Sequence, residues 1–79
     1  MSKAKRAKPF NVGSSVQWNW MGMQIRGTVT KIYFRPVKKA LRGTVVKRNG
    51  SEEKPAYLVK SNAGNDVLKL HTELSAAKQ

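Results

Sequence analysis

The sequence predicts an all-β fold, a small and strongly bent barrel of five strands. The chain has 79 residues, which is enough for one domain at most. Short segments of alternating apolar and polar residues recur between turn-forming residues, and no stretch keeps the 3.6-residue period of a helix. A hydrophobic content of 39% suits a small barrel with a modest core.

The first two strands are predicted from alternating apolar residues. The first covers residues 16–19 and directs Trp18 inward. The second covers residues 24–34, and its apolar positions change sides at Lys31, which indicates a β-bulge that bends the strand. Gly27 lies within this strand, where the missing side chain lets a neighbouring backbone approach closely.

The rest of the barrel is predicted from shorter segments. Pro36 ends the long strand, and we expect residues 37–43 to form a basic connector. The Asn49-Gly50 pair predicts a turn, and His71 begins a single helical turn that closes one end of the barrel. Three more strands are predicted, over residues 44–48, 57–61 and 66–70.

The chain divides into one domain and two tails. Residues 1–9 are rich in Lys and Arg without an apolar stretch, which predicts a flexible basic tail. Residues 10–74 form the predicted barrel domain, and residues 75–79 form a C-terminal tail.

The composition argues against several classes of function. The chain has no Cys, which excludes disulfides, thiol nucleophiles and cysteine zinc sites. One His and four scattered acids give no metal site, no catalytic pair and no expected cofactor, so we do not expect an enzyme. No apolar run is long enough to span a membrane, and no secretory signal is visible. We therefore expect a cytoplasmic protein without membrane contact, and a monomer.

Excess positive charge is the strongest functional signal. The formal net charge is +12, and residues 26–48 contain eight cations and no acid. Such a strip attracts phosphate groups. The predicted nucleic-acid-binding residues are Arg26, Lys31, Arg35, Lys38, Lys39, Arg42, Lys47 and Arg48.

Aromatic residues offer a second kind of contact. Tyr33 and Tyr57 occupy strand positions that favour packing in the core. Trp20 lies in the loop of residues 20–23 with two Met residues, and either caps the open end of the barrel or forms an exposed contact surface. Trp20, with Tyr33 or Phe34, is the predicted platform on which nucleic-acid bases stack. An aromatic cage for methylated Lys or Arg is disfavoured, because the neighbouring segments are basic.

Four segments resemble one known family in the same order. They are Phe10-Asn-Val12-Gly13, Val16-Gln-Trp18, Gly27-Thr-Val29-Thr-Lys-Ile32 and Ser51-Glu-Glu53-Lys-Pro55-Ala-Tyr57-Leu-Val59-Lys-Ser61. Together they resemble the hypervirulence-associated protein Tudor-domain family over about residues 10–74, with His71 in the place of a family His. The resemblance implies an SH3-like (Tudor-like) barrel without enzymatic activity.

Two functions remain open at this point. The first is a non-enzymatic basic module that contacts nucleic-acid phosphates, DNA or RNA, through the strip with weak sequence preference. The alternative is a protein-interaction module, which binds an acidic partner through the strip or a peptide at the loop of residues 20–23.

Overall fold

The computed structural model describes residues 9–77. Residues 1–8 of the predicted basic tail and the last two residues of the C-terminal tail lie outside the described part of the chain. Within residues 9–77, no helix has the length and apolar character that a membrane crossing needs.

The fold is all-β, as the sequence predicts. The strands are β1 (Ser15–Trp20), β2 (Met23–Tyr33), β3 (Pro36–Leu41), β4 (Thr44–Asn49), β5 (Ala56–Ser61), β6 (Asp66–Leu70) and β7 (Ser75–Ala76). One antiparallel sheet has the order β6-β5-β2-β1-β7, and β3 pairs with β4 in a sheet of its own. A 3₁₀ turn, His71–Glu73, lies between β6 and β7 and is the predicted helical turn.

The long strand β2 carries the predicted β-bulge. Its pairing with β5 shifts register between Val29 and Lys31. The hydroxyl of the extra residue, Thr30, donates to the carbonyl oxygen of Leu58 at 3.0 Å, which ties the bulge to β5. The bulge bends β2 between its two partner strands. The first half of β2 pairs with β1, and the second half pairs with β5.

The core lies on one face of the main sheet. Trp18 and Tyr57 are buried there, as predicted, together with Val16, Val29, Val59 and Leu74. On the opposite face Ala56 and Leu68 are also buried, beside Leu58. Both strands of the β3–β4 hairpin contact β6, so the hairpin covers this second apolar cluster.

The hairpin replaces the connector that we expected over residues 37–43. Pro36 begins β3 because proline is tolerated as the first residue of a strand. Arg42 and Gly43 have φ angles of 53° and 79°, the two positive values that a type I′ hairpin turn requires. Arg rarely adopts a positive φ, and its presence hid the turn from sequence analysis.

Two further predictions about the chain ends and turns need correction. The Asn49-Gly50 pair forms no hairpin turn: Asn49 ends β4, and Gly50 is buried where a Cβ would lie 2.8 Å from the carbonyl oxygen of Tyr33. The predicted C-terminal tail begins with a strand, because β7 pairs with Val16 and Gln17 of β1.

The single His packs against the start of the barrel. The backbone N–H of Phe10 donates to the Tyr57 hydroxyl at 3.0 Å, and that hydroxyl lies 2.9 Å from Nδ1 of His71. The rings of Phe10 and His71 stack with centroids 5.0 Å apart. The Tyr57 hydroxyl therefore links the backbone of Phe10 to the ring of His71, and the contacts of His71 are structural.

Candidate nucleic-acid interface

The β3–β4 hairpin has one exposed face and one that packs on the protein. Residues that are Cα partners in an antiparallel pair direct their side chains to the same side. Lys38 pairs with Lys47, and both are exposed. Ala40 and Val45 form the next pair of this outer face and are exposed too. The outer face therefore carries two positive charges directly opposite each other. The neighbouring pair on this face is apolar, and both pairs are exposed to solvent.

The inner face of the hairpin uses two of the predicted phosphate ligands for internal contacts. The Lys39 ammonium lies 5.6 Å from the centroid of the Tyr33 ring. Arg48 forms an ion pair with Glu73 across the gap to the 3₁₀ turn, with Nε 2.9 Å from Oε1. Both cations are partly buried, and the structure engages them in holding the hairpin to the main sheet.

The pKa of Glu73 reflects this ion pair. Burial disfavours the charged carboxylate, but hydrogen bonds from Arg48 and from the backbone N–H of Leu70 outweigh that effect. Their combined result is a pKa of Glu73 below its ordinary value. The carboxylate is therefore ionised at neutral pH and binds Arg48, which is not free to contact a phosphate.

Six of the eight predicted cations remain exposed. Lys38 and Lys47 lie on the outer face of the hairpin, and Arg42 lies at its tip. The other three are exposed on or just after β2: Arg26, Lys31 and Arg35. Within residues 9–77, none of the six side chains forms an ion pair or a hydrogen bond. We call these six residues the free cations.

The free cations do not lie on neighbouring strands of one sheet. The β2 strand pairs with β1 and β5, whereas β3 and β4 pair with each other alone. Arg26 faces Gln17 on β1, on the polar side of the main sheet. The structure thus brings Lys38 and Lys47 together and places Arg26 on a separate sheet.

The predicted aromatic platform is partly exposed. Trp20 is 56% exposed at the end of β1, next to the exposed Met21 and Met23, so the interpretation of Trp20 as a cap of the core is wrong. Phe34 is 44% exposed, between β2 and β3. Tyr33 is half-buried beneath Lys39, and its hydroxyl has no hydrogen-bond partner within the described residues. Of the three, Trp20 offers the most accessible ring.

A cleft beside Trp20 was not predicted from the sequence. Its volume is about 250 Å³, and its apolar wall consists of Trp18, Trp20, Ile25 and Val67. Arg42 and Asp66, whose side chains carry opposite charges, also line this cleft. The cleft forms where the β3–β4 turn meets the β5–β6 turn, and it was not predictable while the hairpin was assigned as a connector. Within residues 9–77, no group of three or more metal-ligating side chains comes together.

A family comparison agrees with the architecture. The family model described as "Hypervirulence associated proteins TUDOR domain" matches residues 13–74 of the chain, from the turn before β1 to the end of the buried core. No curated protein and no solved structure gives a match.

Proposed function

Because the chain belongs to the hypervirulence-associated protein Tudor domain family, we propose that it is a non-enzymatic binding module whose free cations contact the phosphates of nucleic acid. Tudor domains generally mediate binding. For this chain we propose DNA or RNA as the partner, and the free cations as the surface that contacts it. The proposed module is cytoplasmic and needs no cofactor. We propose a monomer, because a net charge of +12 makes copies of the chain repel one another.

The observation that supports this proposal most directly is the Lys38–Lys47 pair. Like charges placed opposite each other on paired strands destabilise a sheet. Neither lysine covers the core or forms an ion pair within residues 9–77, so the fold gains nothing from them. A phosphate group placed between the two ammonium groups would remove their repulsion and gain two charge-assisted contacts.

The salt dependence of binding follows from the number of free cations. Each phosphate neutralised by Lys or Arg releases condensed counterions, and contacts from all six free cations would neutralise six phosphates. The slope of log affinity against log salt is then about −5 for duplex DNA and about −4 for a single strand. Lys39 and Arg48, which are engaged within the protein, do not add to it.

A residue-resolved NMR titration tests the proposal. Short mixed-sequence single and double strands are added to the ¹⁵N-labelled protein at low salt and again at high salt. We expect amide shifts on β3, β4 and the outer side of β2 that disappear as salt rises. An absence of shifts at low salt would exclude nucleic acid as the partner, and salt-independent shifts would exclude the phosphate mechanism.

Exposed Trp20, Met21 and Met23 favour one second candidate function, a protein-interaction module. An acidic partner would use the free cations, whereas a peptide would use the apolar tip of the β1–β2 hairpin. The variant Trp20→Ala would abolish binding of such a peptide and only weaken a contact made through phosphates. Reversing the charges of Lys38 and Lys47 would have the opposite effects.

A further inference from the structure

We propose that the cleft beside Trp20 binds one unpaired base of a single-stranded nucleic acid, with a preference for guanine. This inference rests on the proposed function, because the free cations hold the strand whose base enters the cleft. It adds a second site, a preference for single strands, and a preference among bases that phosphate contacts alone do not give.

A hairpin turn and a backbone hydrogen bond position the walls of the cleft. The β1–β2 hairpin ends in a type I′ turn, with φ angles of 49° at Met21 and 79° at Gly22, and this turn places Trp20 opposite Met23. On the far side, the backbone N–H of Asn62 donates to the carbonyl oxygen of Arg26 at 2.9 Å. The β5–β6 turn is thereby fixed to β2, and both walls of the cleft are set before a ligand arrives.

The shape of the cleft fits one flat aromatic ligand. Trp18 is only 5% exposed and forms the floor, whereas Trp20 is 56% exposed and offers a ring face for stacking. Ile25 and Val67 complete an apolar wall. The volume of about 250 Å³ exceeds that of a purine base. A base in a duplex has both faces covered by its neighbours, so only an unpaired base can stack here.

Asp66 supplies the preference among bases. Asp66 lines the cleft, and its carboxylate has no hydrogen-bond or ion-pair partner within residues 9–77. A carboxylate only accepts hydrogen bonds, and its two oxygens match two adjacent N–H donors. Guanine presents such a pair, N1–H and the N2 amino group. Cytosine and adenine present one amino group, and thymine or uracil presents carbonyl oxygens on both sides of its single N–H.

Arg42 fits the phosphate that follows the bound base. It lies at the tip of the β3–β4 hairpin and lines the same cleft, without an ion pair to Asp66. The two charges are therefore divided between the two ends of a nucleotide, with the cation for the phosphate and the carboxylate for the base edge. Lys38 and Lys47 lie further along the same hairpin, where the next phosphates would meet the proposed interface.

A methylated lysine is the other ligand that an aromatic cleft with a carboxylate attracts. A cage for a methylammonium group needs several converging aromatic faces, and here Trp20 alone exposes one. Arg42 in the cleft, and the net charge of +12, also repel a cationic peptide. The arrangement therefore favours a base.

Binding of labelled single strands of about seven nucleotides, the length of one small site, tests the inference. The strands contain thymidine throughout except for guanine, cytosine, adenine or thymine at the centre, and affinity is measured by fluorescence anisotropy. We expect the guanine strand to bind about tenfold more tightly than the thymine strand. The variant Asp66→Asn should remove this preference, while Glu53→Gln, which makes the same change of charge outside the cleft, should retain it.

The role of Trp20 is tested with the same strands. Trp20→Ala should weaken binding of the guanine strand about tenfold and weaken duplex binding much less, because stacking is lost and phosphate contacts remain. Trp20→Phe, which keeps an aromatic face, should retain most of the affinity, and Val12→Ala is the matched control at an exposed apolar residue outside the cleft. NMR spectra of each variant verify the fold.

The outcomes separate this inference from the proposed function. Salt-dependent binding without a base preference, or a guanine preference that survives Asp66→Asn, would overturn the cleft and leave the phosphate interface standing. No binding to any strand would overturn both. A peptide carrying trimethyllysine that binds at Trp20 more tightly than the guanine strand would also refute the assignment of a base.

Discussion

Replacing Lys38 with Glu should stabilise the protein and weaken its binding to nucleic acid. Lys38 and Lys47 are Cα partners with exposed side chains. At a separation of roughly 6 Å in water, two unit charges interact by about 0.7 kcal/mol. Changing repulsion into attraction is therefore worth about 1.4 kcal/mol, which salt and side-chain freedom reduce to about 1 kcal/mol. For a domain of this size the melting temperature should rise by about 4–8 °C.

The same substitution should reduce the salt slope of binding. Lys38→Glu removes one cation and ties Lys47 into an ion pair, so two of the six free cations are lost. The slope for duplex DNA should fall from about −5 to about −3.6. Lys54→Glu is the control, since it reverses the same charge at an exposed position outside the proposed interface.

Calorimetry and binding assays at about 50 and 200 mM salt measure both effects. The gain in melting temperature should shrink at the higher salt, where the charges are screened. A variant that melts lower than the parent would show that these lysines do not face each other. An unchanged slope beside the Lys54→Glu control would refute their contact with phosphates.

Three further predictions concern stability. Tyr33→Phe should stabilise the fold by about 1 kcal/mol in urea unfolding, because the Tyr33 hydroxyl is buried without a partner in the described residues, and loss of stability would disprove this. Gly27→Ala should destabilise it by about 2 kcal/mol, because a Cβ would lie 2.5 Å from the carbonyl oxygen of Lys60; a neutral result would contradict this approach. Because its pKa is lowered in the fold, ionised Glu73 stabilises the protein at pH values above the ordinary pKa of a Glu side chain, and this stability is lost as pH falls through the lowered pKa. In acid melts Glu73→Gln should lose less stability than the parent, and equal losses would exclude a role of Glu73.

The main sheet was predictable because its signals are local. Alternating apolar residues identified β1, β5 and β6, and the change of parity near Lys31 located the bulge from sequence alone. The closeness of Gly27 to β5 followed from the absence of a side chain. Such features depend on which side of a strand each residue faces, and that is set by neighbours along the chain.

The β3–β4 hairpin was not predictable, because its signals depend on tertiary packing. Its inner face mixes Val37, Leu41 and Val46 with Lys39 and Arg48, so the apolar alternation is interrupted by cations. These cations are tolerated because Lys39 lies over the Tyr33 ring and Arg48 forms an ion pair with Glu73. Tyr33 precedes β3 and Glu73 lies far beyond β4 in the sequence, so the contacts are not visible from the segment itself. The turn between the strands also has Arg42 where a type I′ turn usually has Asn, Asp or Gly.

The cations of the β3–β4 hairpin fall into two groups, which differ in the face of the hairpin on which they lie. Lys39 and Arg48 attach the hairpin to the sheet, while Lys38 and Lys47 alternate with them and face solvent. A strand exchanges its two faces with every residue, so one segment carries both a structural set and a free set of cations. From the sequence alone, all eight cations were predicted to form one strip. The cross-strand pairing is what assigns each cation to a face, and it is why reversing the charge of Lys38 should raise stability, whereas reversing that of Arg48 should lower it by breaking the ion pair with Glu73.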